Sequence, residues 1–268
     1  ASMTTDETST ITVQLKDQFG NNLTSSRGTV LLSTDLGSLS AVADHSDGTY
    51  TATLSGSSDG TGTATITGNF TGDETASSVD GNITDDASVT ITEGLPSLAN
   101  IEISASPVSM TTDETSAITV QLKDQFGNEL SSGSGTVSLT TTHGVLNTVT
   151  NNGNGTYTAT LSGSTDGSGT ANISSTYTGE VTSGNVTDGT ITDDASVTIT
   201  EGLPGLADIE ISASPASMTT DETSAITVQL KDQFGNELTS GSGTVSLTTT
   251  HGVLNTVTNN GNGTYTAT

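Results

Sequence analysis

Cysteine and tryptophan are absent from the 268 residues, and there are only 4 prolines. Without cysteine no disulfide can hold the fold, and the redox compartment stays open. Lysine and arginine together number 4 (Lys16, Arg27, Lys123 and Lys231) against 30 aspartates and glutamates, for a net charge of −26. So few cations cannot neutralise phosphates, which excludes nucleic acid as a partner. An anionic membrane surface would repel the chain as well. No apolar run approaches the roughly 18 residues that a spanning helix requires, so no membrane insertion is expected. Aromatic residues make up 3%, so the surface is poor in the Trp, Tyr and Arg anchors that dominate interface energetics.

Hydrophobic content is 29%. Taken with the high charge, that figure alone would suit a disordered chain, but the apolar residues are patterned. Threonine is abundant, and it favours strands when its methyl packs and its hydroxyl faces water. The acidity has two readings. One is a solvated surface adapted to salt water. The other is divalent cation binding, with calcium the foremost candidate.

What is present above all is repetition. Thr4-Thr5-Asp6-Glu7-Thr8-Ser9 returns at Thr111 to Ser116 and again at Thr219 to Ser224, steps of 107 and 108. A period this long is a whole small domain rather than a solenoid turn. Residues 111–160 and 219–268 differ only at Ser131 against Thr239. Three units are expected: 1–94, lacking its first strand; 95–202, complete; and 203–268, truncated in its C-terminal half. Both ends cut through a repeat, so the expectation is a piece of a longer array. A string of like units argues against an enzyme, whose site needs different residues converging from different places. Consistently, no nucleophile elbow pairs a Ser or Thr with His and Asp, and no catalytic or cofactor-binding residue is assigned.

Alternation with period two dominates the chain. Ile118, Val120 and Leu122 share one face, and Val137 with Leu139, Tyr157 with Ala159 and Leu161, and Val197 with Ile199 do the same. These runs are bounded by Gly, Asn, Asp or Ser, which signals half-buried antiparallel strands. In the middle copy the strands are expected at 101–104 (interrupted by Pro107), 117–123, 135–140, 145–148, 156–161, 169–176 and 194–200. The fold class is therefore all-β: tandem immunoglobulin-like antiparallel β-sandwiches, arranged end to end. Asp124-Gln125-Phe126-Gly127-Asn128 reads as a turn, with Asp accepting local N–H groups and Gly allowing a positive φ.

Asp47-Gly48-Thr49-Tyr50 recurs as Asn154 to Tyr157 and Asn262 to Tyr265. An acidic or amide residue shortly before a strand-opening Tyr resembles the tyrosine corner of immunoglobulin-like domains. An ordinary hairpin turn with a packed Tyr is the other reading, and in either case Tyr157 is structural.

These segments point to a family. Residues 118–128 (Ile-Thr-Val-Gln-Leu-Lys-Asp-Gln-Phe-Gly-Asn), 135–139 (Gly-Thr-Val-Ser-Leu) and 152–161 (Asn-Gly-Asn-Gly-Thr-Tyr-Thr-Ala-Thr-Leu) resemble the bacterial immunoglobulin-like repeats of the invasin/intimin type, and above all the third invasin-type domain. The resemblance implies an extended stalk that holds a distal adhesive tip away from a bacterial surface. It implies an extracellular location and offers no receptor residues to carry over.

The candidate metal ligands lie at the unit junctions: Asp85, Asp86, Glu93 and Glu102 at the first, Asp193, Asp194, Glu201 and Glu210 at the second. Calcium wants six to eight oxygens, to which carboxylates from both units would contribute. Solvated carboxylates at strand ends are the alternative. No other cofactor is expected. His45, His143 and His251 lack the second His or the Cys that a transition-metal site needs. Seven sequons, at Asn22, Asn69, Asn82, Asn154, Asn172, Asn185 and Asn262, matter only where the source glycosylates asparagine. The expected function is a structural spacer of a large surface adhesin. Alternatives are the shaft of an extracellular filament or matrix fibre, or a calcium- or glycan-binding repeat. The expected partners are neighbouring copies of the same repeat and, in the fibre reading, like chains.

Overall fold

A computed structural model describes residues 1–72, 81–133, 135–182 and 188–268, and among them the chain forms strands and turns but no helix. The first unit runs β1 (Ser2–Thr4), β2 (Thr8–Gln14), β3 (Gly28–Thr34), β4 (Ser38–Leu39), β5 (Ala43–Asp44), β6 (Thr49–Ser55), β7 (Gly62–Gly72), β8 (Gly81–Asn82) and β9 (Ala87–Thr92). The second runs β10 (Glu102–Ser106), β11 (Ser109–Thr111), β12 (Thr115–Gln121), β13 (Thr136–Thr141), β14 (Val145–Leu146), β15 (Thr150–Asn151), β16 (Thr156–Ser162), β17 (Gly169–Thr178), β18 (Asp188–Thr190) and β19 (Ala195–Thr200). The third has β20 (Glu210–Ser214), β21 (Ala225–Gln229), β22 (Thr258–Asn259) and β23 (Thr264–Ala267).

The second unit is a sandwich of two sheets. One has the order β10-β12-β16-β14, with β15 on β16; the other is β11-β19-β17-β13, with β18 on β17. The first unit repeats this as β2-β6-β4 and β1-β9-β7-β3, while the third has the single sheet β20-β21-β23-β22. Every strand pair among the described residues joins strands of the same unit.

Between the two sheets of the second unit lies the core, with Ile103, Ile118, Val120, Tyr157 and Leu161 from one and Met110, Val137, Ile173, Tyr177, Val197 and Ile199 from the other. The inward residues expected from the alternation are buried, except that Leu139 is only partly buried. It lies on β13, an edge strand whose far side has no neighbour to cover it. The third unit shows what the second sheet contributes. Ile103 is 5% exposed, whereas its counterpart Ile211, with no facing sheet, is 62% exposed.

Two features depart from the expected strand plan. The opening strand does not merely break at Pro107. It leaves one sheet and joins the other: Glu102 to Ser106 pair antiparallel with β12, and Ser109 to Thr111 then pair parallel with β19. Pro107 has no N–H to give a ladder, so the crossing sits where no ladder bond is lost. The second departure is the set of short strands β11, β15 and β18. Each is three residues or fewer, too short to carry a periodic signal.

Candidate functional site

The most elaborated polar contacts in the chain lie where one unit meets the next. They begin with the Asp124 turn. Asp124 Oδ1 accepts from the Phe126 N–H at 2.9 Å and the Asn128 N–H at 3.0 Å, while Oδ2 accepts from Asn128 Nδ2 at 2.9 Å. Gly127 takes φ 85°, a conformation open to glycine. The turn thus holds the Asn128 amide outward, and Asn128 Nδ2 also donates to the Ser57 carbonyl of the first unit at 2.9 Å.

Beyond the turn, the chain meets Glu93, the residue that follows β9. The Ser131 N–H donates to Glu93 Oε1 at 2.8 Å, and the Ser132 hydroxyl to Oε2 at 2.9 Å. The Ser131 hydroxyl donates to Oε1 as well. One carboxylate of the first unit is therefore clasped by three donors of the second. Partial burial pushes the Glu93 carboxyl up, but the bonds from Ser131 and Ser132 outweigh it and hold the group below its ordinary range.

The second junction repeats the first. Glu201 Oε1 accepts from the Thr239 N–H at 2.8 Å and from the Thr239 hydroxyl, and Oε2 accepts from the Ser240 hydroxyl at 2.9 Å. Asn236 Nδ2 bridges Asp232 Oδ2 and the Ser164 carbonyl, both at 2.9 Å. Burial pushes Glu201 up, and the bonds from Thr239 and Ser240 again bring it below the ordinary value. The only difference between residues 111–160 and 219–268, Ser131 against Thr239, falls on this clasp and keeps its hydroxyl.

The first linker is also tied down. The Gly94 N–H donates to Thr5 Oγ1 at 3.0 Å, the Leu95 carbonyl accepts from Thr182 Oγ1 at 2.9 Å, the Pro96 carbonyl from the Thr182 N–H at 3.0 Å, and the Ser97 N–H donates to the Lys123 carbonyl at 2.8 Å. A Cβ at position 94 would stand 2.3 Å from Asp6 Oδ1 and 2.5 Å from Thr5 Oγ1, so both side chains would have to shift to admit it.

The candidate calcium ligands are not brought together. Glu93 and Glu201 serve the clasps. Glu102 pairs with Lys123 at 2.5 Å, and Glu210 with Lys231 at 2.7 Å. Asp193 Oδ2 accepts from the Ile103 N–H at 2.7 Å. Asp85, Asp86 and Asp194 are exposed. Among the described residues no three carboxylate or imidazole groups form a cluster that could hold a metal ion. Glu93, Glu201 and Asp193, the partly buried members of the candidate set, each have an N–H or O–H partner.

Tyr157 is buried and structural, as either reading of its segment expects. Its hydroxyl donates at 2.6 Å to the carbonyl of Gly135, 22 positions upstream and just before β13 of the other sheet. Tyr50 does the same to Gly28 at 2.5 Å, and Tyr265 to Gly243 at 2.7 Å. The bond is a tie between sheets. Of the imidazoles, His45 and His251 are exposed and His143 is half-buried. Among the sequons, Asn185 lies outside the described residues.

The clasp donors, Ser131 and Ser132, carry no motif that marks them in advance, whereas Asn128 lies in the turn that the sequence itself shows. The one available hint was that the single change between copies keeps a hydroxyl.

The family described as "Invasin, domain 3" matches residues 2–94, 97–202 and 206–268. Similar solved structures include the Escherichia coli adhesin FdeC, 24% identical over 98% of this chain and 83% of that one, with a TM-score of 0.47. Invasin, a bacterial integrin-binding protein, is 21% identical over 96% of this chain, with a TM-score of 0.43; the chain spans 50% of its length. InvD of Yersinia pseudotuberculosis is 24% identical over 86% of this chain and 67% of that one, with a TM-score of 0.43. No curated protein matches.

Proposed function

The chain belongs to the invasin domain 3 family, and from that premise we propose that its repeats form the stalk of an extracellular, cell-surface adhesin, with no catalytic role. The units are residues 1–94, 95–202 and 203–268. One observation carries the reading: both junctions close with the same clasp, a strand-end glutamate held by a hydroxyl pair of the next unit. Linked domains move against one another by default unless their interface is extensive. A spacer must resist that motion to keep its far end at a distance. Hydrogen bonds to a charged acceptor are each worth about 1.5–3 kcal/mol when shielded, and less at a half-exposed site such as this. Three on one carboxylate, joined by the Asn128–Ser57 bridge and the tethered linker, are sufficient to favour one orientation. Near-identity of the copies suits a spacer, in which length is what duplication adds.

Spin labels on β6 and β16 of the full chain test this by pulsed electron resonance. A narrow distance distribution, broadened by Glu93→Ala, is expected. A broad distribution in the unmodified chain would remove the stalk reading and leave loosely strung modules.

A further inference from the structure

We propose that Asn154 and its counterpart Asn262 are modification sites: in the folded chain each loses its side-chain amide and becomes aspartate without an enzyme, while the neighbouring Asn152 and Asn260 keep theirs.

The loop before β16 reads Asn151-Asn152-Gly153-Asn154-Gly155-Thr156, so two Asn-Gly pairs stand side by side, and residues 259–264 repeat them. An asparagine before glycine is open to attack on its own Cγ by the glycine nitrogen, because no side chain shields that nitrogen. By sequence the two pairs are equivalent, and the fold separates them. The Gly153 N–H donates to Asn151 Oδ1 at 2.8 Å, which holds it away from Asn152. The Gly155 N–H has no partner among the described residues, and the Gly263 N–H has none either. The Asn154 side-chain carbonyl is also polarised, since Oδ1 accepts from the Thr156 N–H at 3.2 Å and the Thr156 hydroxyl at 2.7 Å. Those donors face the oxygen on which negative charge gathers when Cγ is attacked. Asn262 has the same pair of donors in Thr264. Asn152 Oδ1 receives only the Thr158 hydroxyl, at 3.4 Å. Asn154 is exposed, so water reaches it. The fold also demands the glycine: φ at Gly155 is 79°, and a Cβ there would run into the Leu130 carbonyl.

The steps balance with water as the one co-reactant. The Gly155 nitrogen bonds to Asn154 Cγ and gives up its proton, and the side-chain nitrogen leaves as ammonia, closing a cyclic imide. Water then opens the ring. Attack at Cγ leaves aspartate, whereas attack at the main-chain carbonyl leaves isoaspartate and a backbone longer by a methylene. The first unit shows that the fold accepts aspartate, because Asp47 stands at this place. Its Oδ1 accepts from the Thr49 N–H at 2.9 Å and the Thr49 hydroxyl at 2.5 Å, and these bonds hold its carboxyl below the ordinary range. Isoaspartate would displace Gly155, whose carbonyl accepts from the Leu122 N–H at 2.9 Å. Each converted repeat therefore gains a negative charge and keeps its loop.

The test holds the full chain at neutral pH, folded in one sample and unfolded in urea in the other. Portions taken over time are digested in acid and read by mass spectrometry, with fragmentation that separates aspartate from isoaspartate. In urea Asn152, Asn154, Asn260 and Asn262 should convert at similar rates. In the folded chain Asn154 and Asn262 should convert roughly tenfold or more faster than Asn152 and Asn260, the scale of a hydrogen bond made or withheld at the transition state. Thr156→Val keeps the branched shape and removes the hydroxyl, so it should slow Asn154 several-fold and leave Asn262 as an internal control. Equal rates within the folded loop, amides retained at 154 and 262 while the urea sample converts, or isoaspartate as the main folded product would overturn the proposal. An unchanged Asn154 rate in T156V would overturn the part given to the hydroxyl.

Discussion

Replacing Tyr157 by phenylalanine removes a single oxygen from a side chain that is 2% exposed. The ring stays and its packing is kept, so the loss is electrostatic. Tyr157 Oη donates to the Gly135 carbonyl at 2.6 Å and accepts from Asn151 Nδ2 at 3.3 Å. A neutral hydrogen bond contributes about 0.5–1.5 kcal/mol net, and a buried group left without its partner costs about 1–3 kcal/mol. Asn151 is exposed and turns to water, so its contribution is small. The Gly135 carbonyl is enclosed and cannot, so the expected cost is about 2 kcal/mol. For a unit of this size that corresponds to roughly 10 °C in Tm. The first unit supplies an internal comparison. Tyr50 donates to the Gly28 carbonyl in the same way, but the place of Asn151 is taken by Asp44, which is engaged with Ser26 and Ser46. Y50F should therefore cost no more than Y157F. Urea and thermal unfolding of the full chain, followed by near-ultraviolet circular dichroism and fitted with a separate transition for each unit, provide the measurement. A loss below about 0.5 kcal/mol for Y157F, on the scale of a hydrogen bond, would refute the inter-sheet tie.

Other outcomes follow from the junctions. Because the folded values of Glu93 and Glu201 lie below the ordinary carboxylate value, the clasp should stabilise the junction above that value and lose its contribution as pH falls through the lowered one. E93Q with E201Q should flatten that dependence in interdomain distances measured between pH 7 and pH 3, and an unchanged acid response would assign it to other carboxylates. Gly94→Ala drives a methyl against Asp6 and Thr5 and should destabilise the first unit by about 1–3 kcal/mol; an unshifted melt would show that the linker gives way freely. At matched ionic strength, calcium, magnesium and chelated samples should share one Tm, since the ions then act by screening alone and among the described residues no three carboxylates converge. A calcium-specific rise would demand a site that the described residues do not form.

Much of the fold was legible in the chain. The alternation at Ile118, Val120 and Leu122 placed these residues in the core because a strand's side chains alternate strictly between faces, so one buried face fixes the register. The Asp124 turn was legible because its bonds are local: Asp, Gly and Asn within five positions suffice to close it. The repeat steps of 107 and 108 marked the units without any structural input. The candidate site was less accessible. The junction glutamates are visible in the sequence as strand-end acids, but the serines that meet them carry no local signal, and among the described residues no three carboxylates converge.

The division has a physical cause. Local chemistry and period-two patterning are properties of neighbouring residues, so the sequence by itself determined the strands, the main turn, the buried faces and the existence of like units. Bonds such as Glu93 to Ser131, Asn128 to Ser57 and Tyr157 to Gly135 join residues 38, 71 and 22 positions apart. Whether they form depends on how two sheets stack or two units abut. In a chain with this many carboxylates, many pairings satisfy the same composition. Only the tertiary structure decided that the junction glutamates meet hydroxyls and backbone N–H groups rather than one another.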